Sequence, residues 1–274
     1  MSKTPSRKPV RIMLWTSARS LSTVFSKAIS NIDNSLVFLE PFHTAYLYGP
    51  DRKHMTKVDD LPHGLETEYS YENVQRMLEA DFPDQDVLCV KDSAVAITGN
   101  YDNIPRGFTH IFLIRNPIEI AGKSLGLNKQ FMDVSKVAEH SIKDYLAGSP
   151  FTDLYNLTEY VETVLGQTPI IIDANDLLAN PEGIIRDVCT KVGLLFTDTL
   201  LHWEPGVGKN FRLSETKALL NEKTGIYQKA FDSCGFQPSL ATTSTEKEIP
   251  EIMKMAVSVA MEFYNKMYVK RIQV

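Results

Sequence analysis

Five short apolar runs stand out along the chain: Val10 to Trp15, Ser35 to Glu40, Asp86 to Asp92, His110 to Arg115 and Pro169 to Asp173. Each is continuous rather than alternating and is bounded by turn or charged residues, the pattern of strands buried on both faces. Between them apolar positions recur at helical spacing. Val24, Ala28 and Ile29 share a face after the first run, and Tyr71, Val74, Met77 and Leu78 share one over Tyr69 to Ala80. Further helices are expected at about Ile118 to Leu127, Asn128 to Leu146 and Phe151 to Leu165. Asn180-Pro181 supplies an N-cap and a proline at the first helical position for a helix reaching about Val192, where Gly193 stops it. His202 to Ser244 is loop-rich apart from a helical stretch near Ser214 to Asn221. Pro250 to Val269 reads as a closing amphipathic helix with Ile252, Met255, Ala256, Val259, Ala260 and Phe263 on its apolar face. Strands that alternate with helices predict an α/β fold. The expectation is a single domain over residues 1–274 with a central, mostly parallel five-stranded sheet flanked by helices, residues 1–9 forming a flexible arm.

Bulk composition narrows the partners. The 274 residues are 43% hydrophobic and 23% charged, ordinary for a soluble globular protein. A net charge of −5 argues against nucleic acid as the main partner. Cys89, Cys189 and Cys234 are few and odd in number, which reads as reduced thiols and a cytoplasmic setting. No apolar run approaches the roughly 18 residues of a membrane span. A secretory leader is not expected, because Met1 to Pro9 is polar and basic.

The chemistry gathers where runs end. After the first run come Thr16-Ser-Ala-Arg-Ser-Leu-Ser-Thr23 and then a helix. Strand, polar loop and helix N-terminus together form a site for an anion: the free N–H groups of the first turn and the helix dipole both favour negative charge. Ser20, Ser22 and Thr23 add hydroxyls and Arg19 adds a donor fork. The plain alternative is that Ser and Thr cap an ordinary helix. A Walker A loop is excluded, since no glycine lies between Met1 and Tyr48. The second run stops at Glu40, because Pro41 cannot continue a central strand. The third ends in Lys91-Asp92, which could form an internal ion pair, and the fourth in Arg115. In an open parallel sheet the carboxyl ends of strands are where ligands bind. Thr44 to Glu68 reads as a long irregular loop that shapes the site, together with His202 to Ser244. Glu119 and Lys123, four apart, suit a surface pair. Trp15 suits the core, and Trp203 either the core or a site wall. His54 and His63 lack metal-ligand spacing, so no metal is expected.

In these features the chain resembles the sulfotransferase superfamily whose donor is 3′-phosphoadenosine-5′-phosphosulfate. Three segments in the family's order carry the resemblance: Thr16 to Thr23, Ile111-Phe-Leu-Ile-Arg-Asn-Pro117 with Ser124, and Ile171 to Pro181 with Cys189 and Gly193-Leu194. It implies that Arg19, Ser20, Leu21, Ser22 and Thr23 hold the 5′-phosphosulfate. It also implies that Arg115 and Ser124 hold the 3′-phosphate. Many members place the serine eight residues after the arginine, where this chain has Lys123, so either residue suits the contact. Arg19 stands where many members have lysine, and Ala174 where they have an adenine-contacting tyrosine. Gly206-Val-Gly-Lys209 resembles the Gly-rich basic loop near the 3′-phosphate, which adds Gly208 and Lys209. The histidine of the eukaryotic Lys-Thr-His sequence is missing from Lys91-Asp92-Ser93. Bacterial-type members place a glutamate after the second strand, as Glu40 stands here. Desolvation would raise Glu40 toward neutral pH and make it the base, with His43 in reserve and Arg19 stabilising the leaving phosphate.

The resemblance therefore implies sulfonyl transfer to a hydroxyl or amine of a small-molecule acceptor, without a metal, and leaves a homodimer open. Two other readings stand beside it. A nucleotide kinase lacks its Gly-Lys-Ser/Thr loop and Mg²⁺ ligands here. A pseudo-enzyme that binds the nucleotide without turnover is compatible with the missing histidine and with arginine at position 19.

Overall fold

The computed structural model describes residues 8–17, 19–53, 64–121, 149–208, 210–237, 249 and 251–274, with the backbone alone at 149 and 251–253. The chain runs β1 (Val10–Thr16), α1 (Ser22–Ile29), β2 (Ser35–Leu39), α2 (Pro41–Tyr48), α3 (Tyr71–Glu79), β3 (Val87–Ser93), α4 (Ala94–Ile97) and β4 (Thr109–Ile114). It continues through α5 (Ser149–Thr163), β5 (Ile170–Asp173), α6 (Ala174–Ala179), α7 (Pro181–Val192), β6 (Phe211–Arg212), α8 (Glu215–Thr224), α9 (Gln228–Phe231) and α10 (Glu251–Tyr268).

The strands form one sheet in the order β5-β4-β1-β3-β2-β6, and every pair is parallel. Successive side chains of a strand point to opposite faces, and here both faces are covered. Ile12 and Leu14 pack on one side with Val24 and Phe25 of α1 and Ile184 and Ile185 of α7. Met13 and Trp15 pack on the other with Phe42, Val74, Leu157 and Tyr264, from α2, α3, α5 and α10. Burial on both faces is why the runs are continuously apolar. A polar link inside the core is satisfied: the Trp15 indole donates to His110 Nδ1 at 2.9 Å. Burial pushes His110 down to about 4, so its ring is the neutral acceptor that this bond needs.

Strand order reverses direction at β1. The strands β3, β2 and β6 lie to one side of it and β4 and β5 to the other, so a crevice opens at the carboxyl end of β1.

The sheet differs from the sequence expectation by a sixth strand. β6 is only two residues long and pairs with Val37 and Phe38 at the edge, too short to show any periodicity. Four helices were also not expected, the short α4 and α9 among them. α2 begins directly after Glu40, in the segment read as strand end and irregular loop, and α6 fills the gap between β5 and α7. On α10 the apolar face is rotated: Met255 is 77% exposed, while Ala256, Val257, Ala260 and Tyr264 are buried. The helix expected at 128–146, most of that at 118–127 and much of the loop 44–68 lie outside the described residues.

Candidate active site

A cavity of about 340 Å³ occupies the crevice. Its wall is the loop from Arg19 to Val24, the strand ends at Glu40 and Lys91, and the segment from Gly225 to Ala230. The structure thus brings Arg19, Ser20, Leu21, Ser22, Thr23 and Glu40 together, as the sequence suggested.

The loop is braced from within and leaves its outward donors open. Thr16 and Ser20 share a short hydroxyl contact, and Ser20 Oγ also donates to the Ser17 carbonyl at 2.9 Å. Ser20 is therefore a brace within the loop. Leu21 occupies the N-cap of α1 in the left-handed region and supplies no side-chain cap. Among the described residues, the first-turn N–H groups of Ser22, Thr23 and Val24 have no acceptor, and the Ser22 and Thr23 hydroxyls have no protein partner. Orphan donors at a helix start carry the positive end of the dipole. Arg19 adds its charge. Burial pulls its pKa down while Glu40 and Tyr227 pull it up, and a guanidinium stays protonated throughout.

Backbone strain concentrates here. Arg19 (φ 67°), Leu21 (φ 71°) and Glu40 (φ 58°) all sit in the left-handed region, and all three line the cavity. Non-glycine residues enter that region at a cost and persist where their surroundings over-determine them.

Glu40 is 8% exposed; three side chains donate to it and a fourth, His43, lies against it. Lys91 pairs with Oε1. Lys217 donates to Oε2 at 2.5 Å and Tyr227 OH to the same oxygen at 2.7 Å, while His43 Nδ1 lies 3.3 Å away. Burial alone would raise this carboxyl, as expected from the sequence. Lys217 and then Lys91 outweigh it and hold Glu40 well below the usual carboxylate range. The expected upward shift does not occur, because two ammonium groups invisible to local sequence reach the carboxylate. His43 is lowered, first by burial and then by Lys217, so its ring is neutral near pH 7.

Asp92 does not pair with Lys91. Its carboxylate accepts the N–H groups of Phe42 (2.6 Å), His43 (3.0 Å) and Ser93 (2.8 Å). It caps α2 in place of Glu40, whose side chain makes no cap. Burial, and next Glu40, push Asp92 up to about 7 against the pull of those N–H groups.

The other expected residues lie elsewhere. Arg115 is fully buried and is not on the cavity wall. Its Nε donates to Glu119 Oε2 at 2.9 Å and its Nη1 reaches the Arg19 carbonyl at 3.4 Å, so it backs the loop from beneath. Glu119 also accepts from Asn175 at 2.7 Å; it is a buried partner of Arg115 and not a surface residue. Gly208 packs against Ser30 at the far end of α1, about 12 Å of helix from the loop. Lys123, Ser124 and Lys209 lie outside the described residues. Trp203 is core, donating to Ser233 Oγ at 3.3 Å.

Sequence reasoning missed Tyr227 and the segment 225–230 as cavity elements, and Lys217 as the buried partner of Glu40 behind the wall. The segment 225–230 is anchored by Lys27, a buried cation on α1 that donates to the carbonyls of Phe231 (2.5 Å) and Ser233 (2.9 Å). A lysine beside Val24, Ala28 and Ile29 on a buried helix was the available signal.

The model of the sulfotransferase domain family matches residues 10–271, and the chain belongs to that family. Its fold is similar to the sulfotransferase domain from the Synechococcus PCC 7002 olefin synthase, with a TM-score of 0.50, 15% identity, and 96% of this chain and 98% of that one covered. It is equally similar to the sulfotransferase domain from the curacin biosynthetic pathway, with a TM-score of 0.51, 16% identity, and 94% and 99% covered. At such identities the likeness is one of fold. Over 197 residues, 71% of this chain, it is 26% identical to branched-chain-amino-acid aminotransferase-like protein 2 of Arabidopsis thaliana. The match spans 32% of that protein's length, so the chain covers about a third of this curated relative. Among the described residues no helix is long and apolar enough to cross a membrane.

Proposed function

We propose that the protein transfers a sulfonyl group from 3′-phosphoadenosine-5′-phosphosulfate to a hydroxyl or amine of a small-molecule acceptor. The observation that carries this reading is the open first turn of α1. Three N–H groups and two hydroxyls without protein partners face a cavity that also holds Arg19 and Lys91. Among the described residues the only carboxylate on the cavity wall is Glu40, so cations exceed anions there and a polyanion is the complementary ligand.

When bound, the donor supplies an activated sulfonyl group. The chain's own residues do the rest. Ser22, Thr23 and the first-turn N–H groups bind and orient the anionic end, and Arg19 offsets negative charge gathering beside the loop. Arg115 holds the loop's main chain at Arg19. Glu40 takes the acceptor's proton. Its Oε2 already accepts two bonds and its Oε1 only one, so the open lone pair is on Oε1. A carboxylate held low is a modest base for an unactivated alcohol, and its value here is that it is ionised and placed.

The test is a thermal shift with 3′,5′-adenosine bisphosphate, with ATP plus Mg²⁺ run alongside. At 100 times Kd a ligand stabilises by about 2.7 kcal/mol, which moves Tm by several degrees for a domain this size. Stabilisation by the bisphosphate, followed by transfer of labelled sulfonate to an acceptor panel, is the expected result. Stabilisation by ATP and Mg²⁺ alone would overturn the reading in favour of a phosphoryl transferase.

A further inference from the structure

The mechanism above uses Glu40 but leaves unexplained the group behind it. Lys217 is 1% exposed, sits in the first turn of α8 and is not on the cavity wall. Its Nζ lies 2.5 Å from Glu40 Oε2 and 2.7 Å from His43 Nδ1. An ammonium has three protons and no lone pair, so Lys217 is the donor in both contacts. His43 Nδ1 therefore accepts, and the ring's own proton resides on Nε2. The 3.3 Å approach of His43 Nδ1 to Glu40 Oε2 is then a meeting of two acceptors over one shared cation. Stacking on Tyr46, with centroids 6.2 Å apart and planes 16° from parallel, helps fix the ring.

We propose that Lys217 is a positioning residue whose single ammonium bridges Glu40 and His43, thereby assigning Glu40 as the site's proton acceptor and His43 as a neutral ring protonated on Nε2. The catalytic part rests on the reading of Glu40 given above; the bridging part does not.

The charges around the bridge come from every packed element. β3 presents Lys91 to Glu40 and sets Asp92 close by. The segment 225–230 presents Tyr227, and the anion loop presents Arg19. Removing Lys217 leaves Lys91 and Tyr227 on Glu40 and leaves His43 beside the carboxylate with the more distant Lys91 as its remaining cation. His43 then gains a reason to bind a second proton and donate it to Glu40. The carboxylate, short of one ammonium, also binds a proton more readily. The division of labour between the two residues would be lost although neither has been altered.

The first measurement needs no variant. Nitrogen-15 NMR of the histidine-labelled full chain, with His43 assigned by its loss in His43→Gln, should show the Nε2–H tautomer at neutral pH with Nδ1 as a hydrogen-bond acceptor. An Nδ1–H ring or an imidazolium there overturns the proposal, whether or not any variant folds. In Lys217→Met the proton affinity of His43 should rise by at least about tenfold, one unit of pKa, and Lys217→Arg should restore it. An unchanged His43 titration in folded Lys217→Met also overturns it. In turnover assays the acid limb of kcat should move to higher pH in Lys217→Met, with the donor KM unchanged and the limb restored in Lys217→Arg. Active wild type whose acid limb does not move in Lys217→Met defeats the positioning role. Wild type with the expected NMR signature but no sulfonyl transfer supports the bridge and defeats the proposed function instead.

Discussion

Glu40 and Asp92 are two buried carboxylates at the ends of neighbouring strands, and the fold treats them in opposite ways. Glu40 is surrounded by ammonium and hydroxyl groups from β3, α8 and the 225–230 segment. Asp92 is surrounded by backbone N–H groups at the start of α2. The outcome is a carboxyl held well below its ordinary range in one case and pushed up to about 7 in the other. Burial raises both. What differs is full opposite charge against partial dipoles, and in a buried site two ammonium groups outweigh desolvation where three N–H groups do not. The contrast assigns roles: Asp92 builds the scaffold of α2, and Glu40 faces the cavity as an ion.

The comparison can be broken most strongly at Glu40. Under the proposed function, Glu40→Gln removes the proton acceptor, and turnover should fall on the order of 10² to 10⁴-fold. Bisphosphate binding, measured by calorimetry, should be nearly intact. A fully active variant would end the catalytic role of Glu40 and leave it an ion-pair centre.

At Asp92 the effect should appear in stability. Asp92→Ala leaves the Phe42, His43 and Ser93 N–H groups without an acceptor, at roughly 1–3 kcal/mol for each that stays buried and unpaired. Urea unfolding should show it as a lower midpoint at unchanged slope. Asp92→Asn, which still accepts, should recover much of the loss. If Ala and Asn behave alike, the cap does not hold α2.

A smaller change sharpens the contrast. Tyr227→Phe removes one donor to Glu40 and should cost about 1.5–3 kcal/mol, the range for a hydrogen bond to a charged group. It leaves Asp92 untouched, so the pH dependence attributable to Asp92 should survive it.

That pH dependence has opposite signs at the two residues. Glu40, lowered in the folded state, contributes stability that is present above its unfolded value of about 4.3 and lost as pH falls through its lower folded value. Asp92, raised in the folded state, favours folding while protonated, and its contribution is lost as pH climbs from about 4 to about 7. Each slope is at most about 1.4 kcal/mol per pH unit. Unfolding curves from pH 3 to 8, repeated in Glu40→Gln and Asp92→Asn, should flatten the acid side in the first and the middle range in the second. The same change in both would remove the distinction.

Much of this was legible in the sequence. The five apolar runs mark β1 to β5 because strands buried on both faces must be apolar throughout. The helix after Asn180-Pro181 ends at Gly193 as its caps require: Asn180 accepts from the Gly183 N–H, and Gly193 adopts φ 78°. The grouping of Arg19 to Thr23 was readable because those residues are contiguous. α2 was not, since its cap comes from Asp92, fifty residues from Phe42 in sequence. Lys217 and Tyr227 lie 177 and 187 residues from Glu40, and no local pattern carries such pairings. Burial of Glu40 was foreseeable; the cations that reverse its consequence were not. Arg115 was read as a 3′-phosphate contact, whereas here it lies buried behind the loop; its partner Glu119 one turn on was assigned to Lys123 because spacing alone cannot choose between an inward and an outward neighbour.

The anchorage of the 225–230 segment has a consequence for how such a site could change over generations. Lys27 grips the carbonyls of Phe231 and Ser233, and a carbonyl is the same whatever side chain its residue bears. The attachment is therefore blind to the identities of Ile226, Lys229 and Ala230, which form the wall. A lineage could rewrite those three positions, and with them, under the proposed function, the shape offered to an acceptor, while the clasp beneath stayed closed. Fastening and selectivity are written in separate alphabets, one in main chain and one in side chains, so a new substrate need not threaten the architecture that receives it.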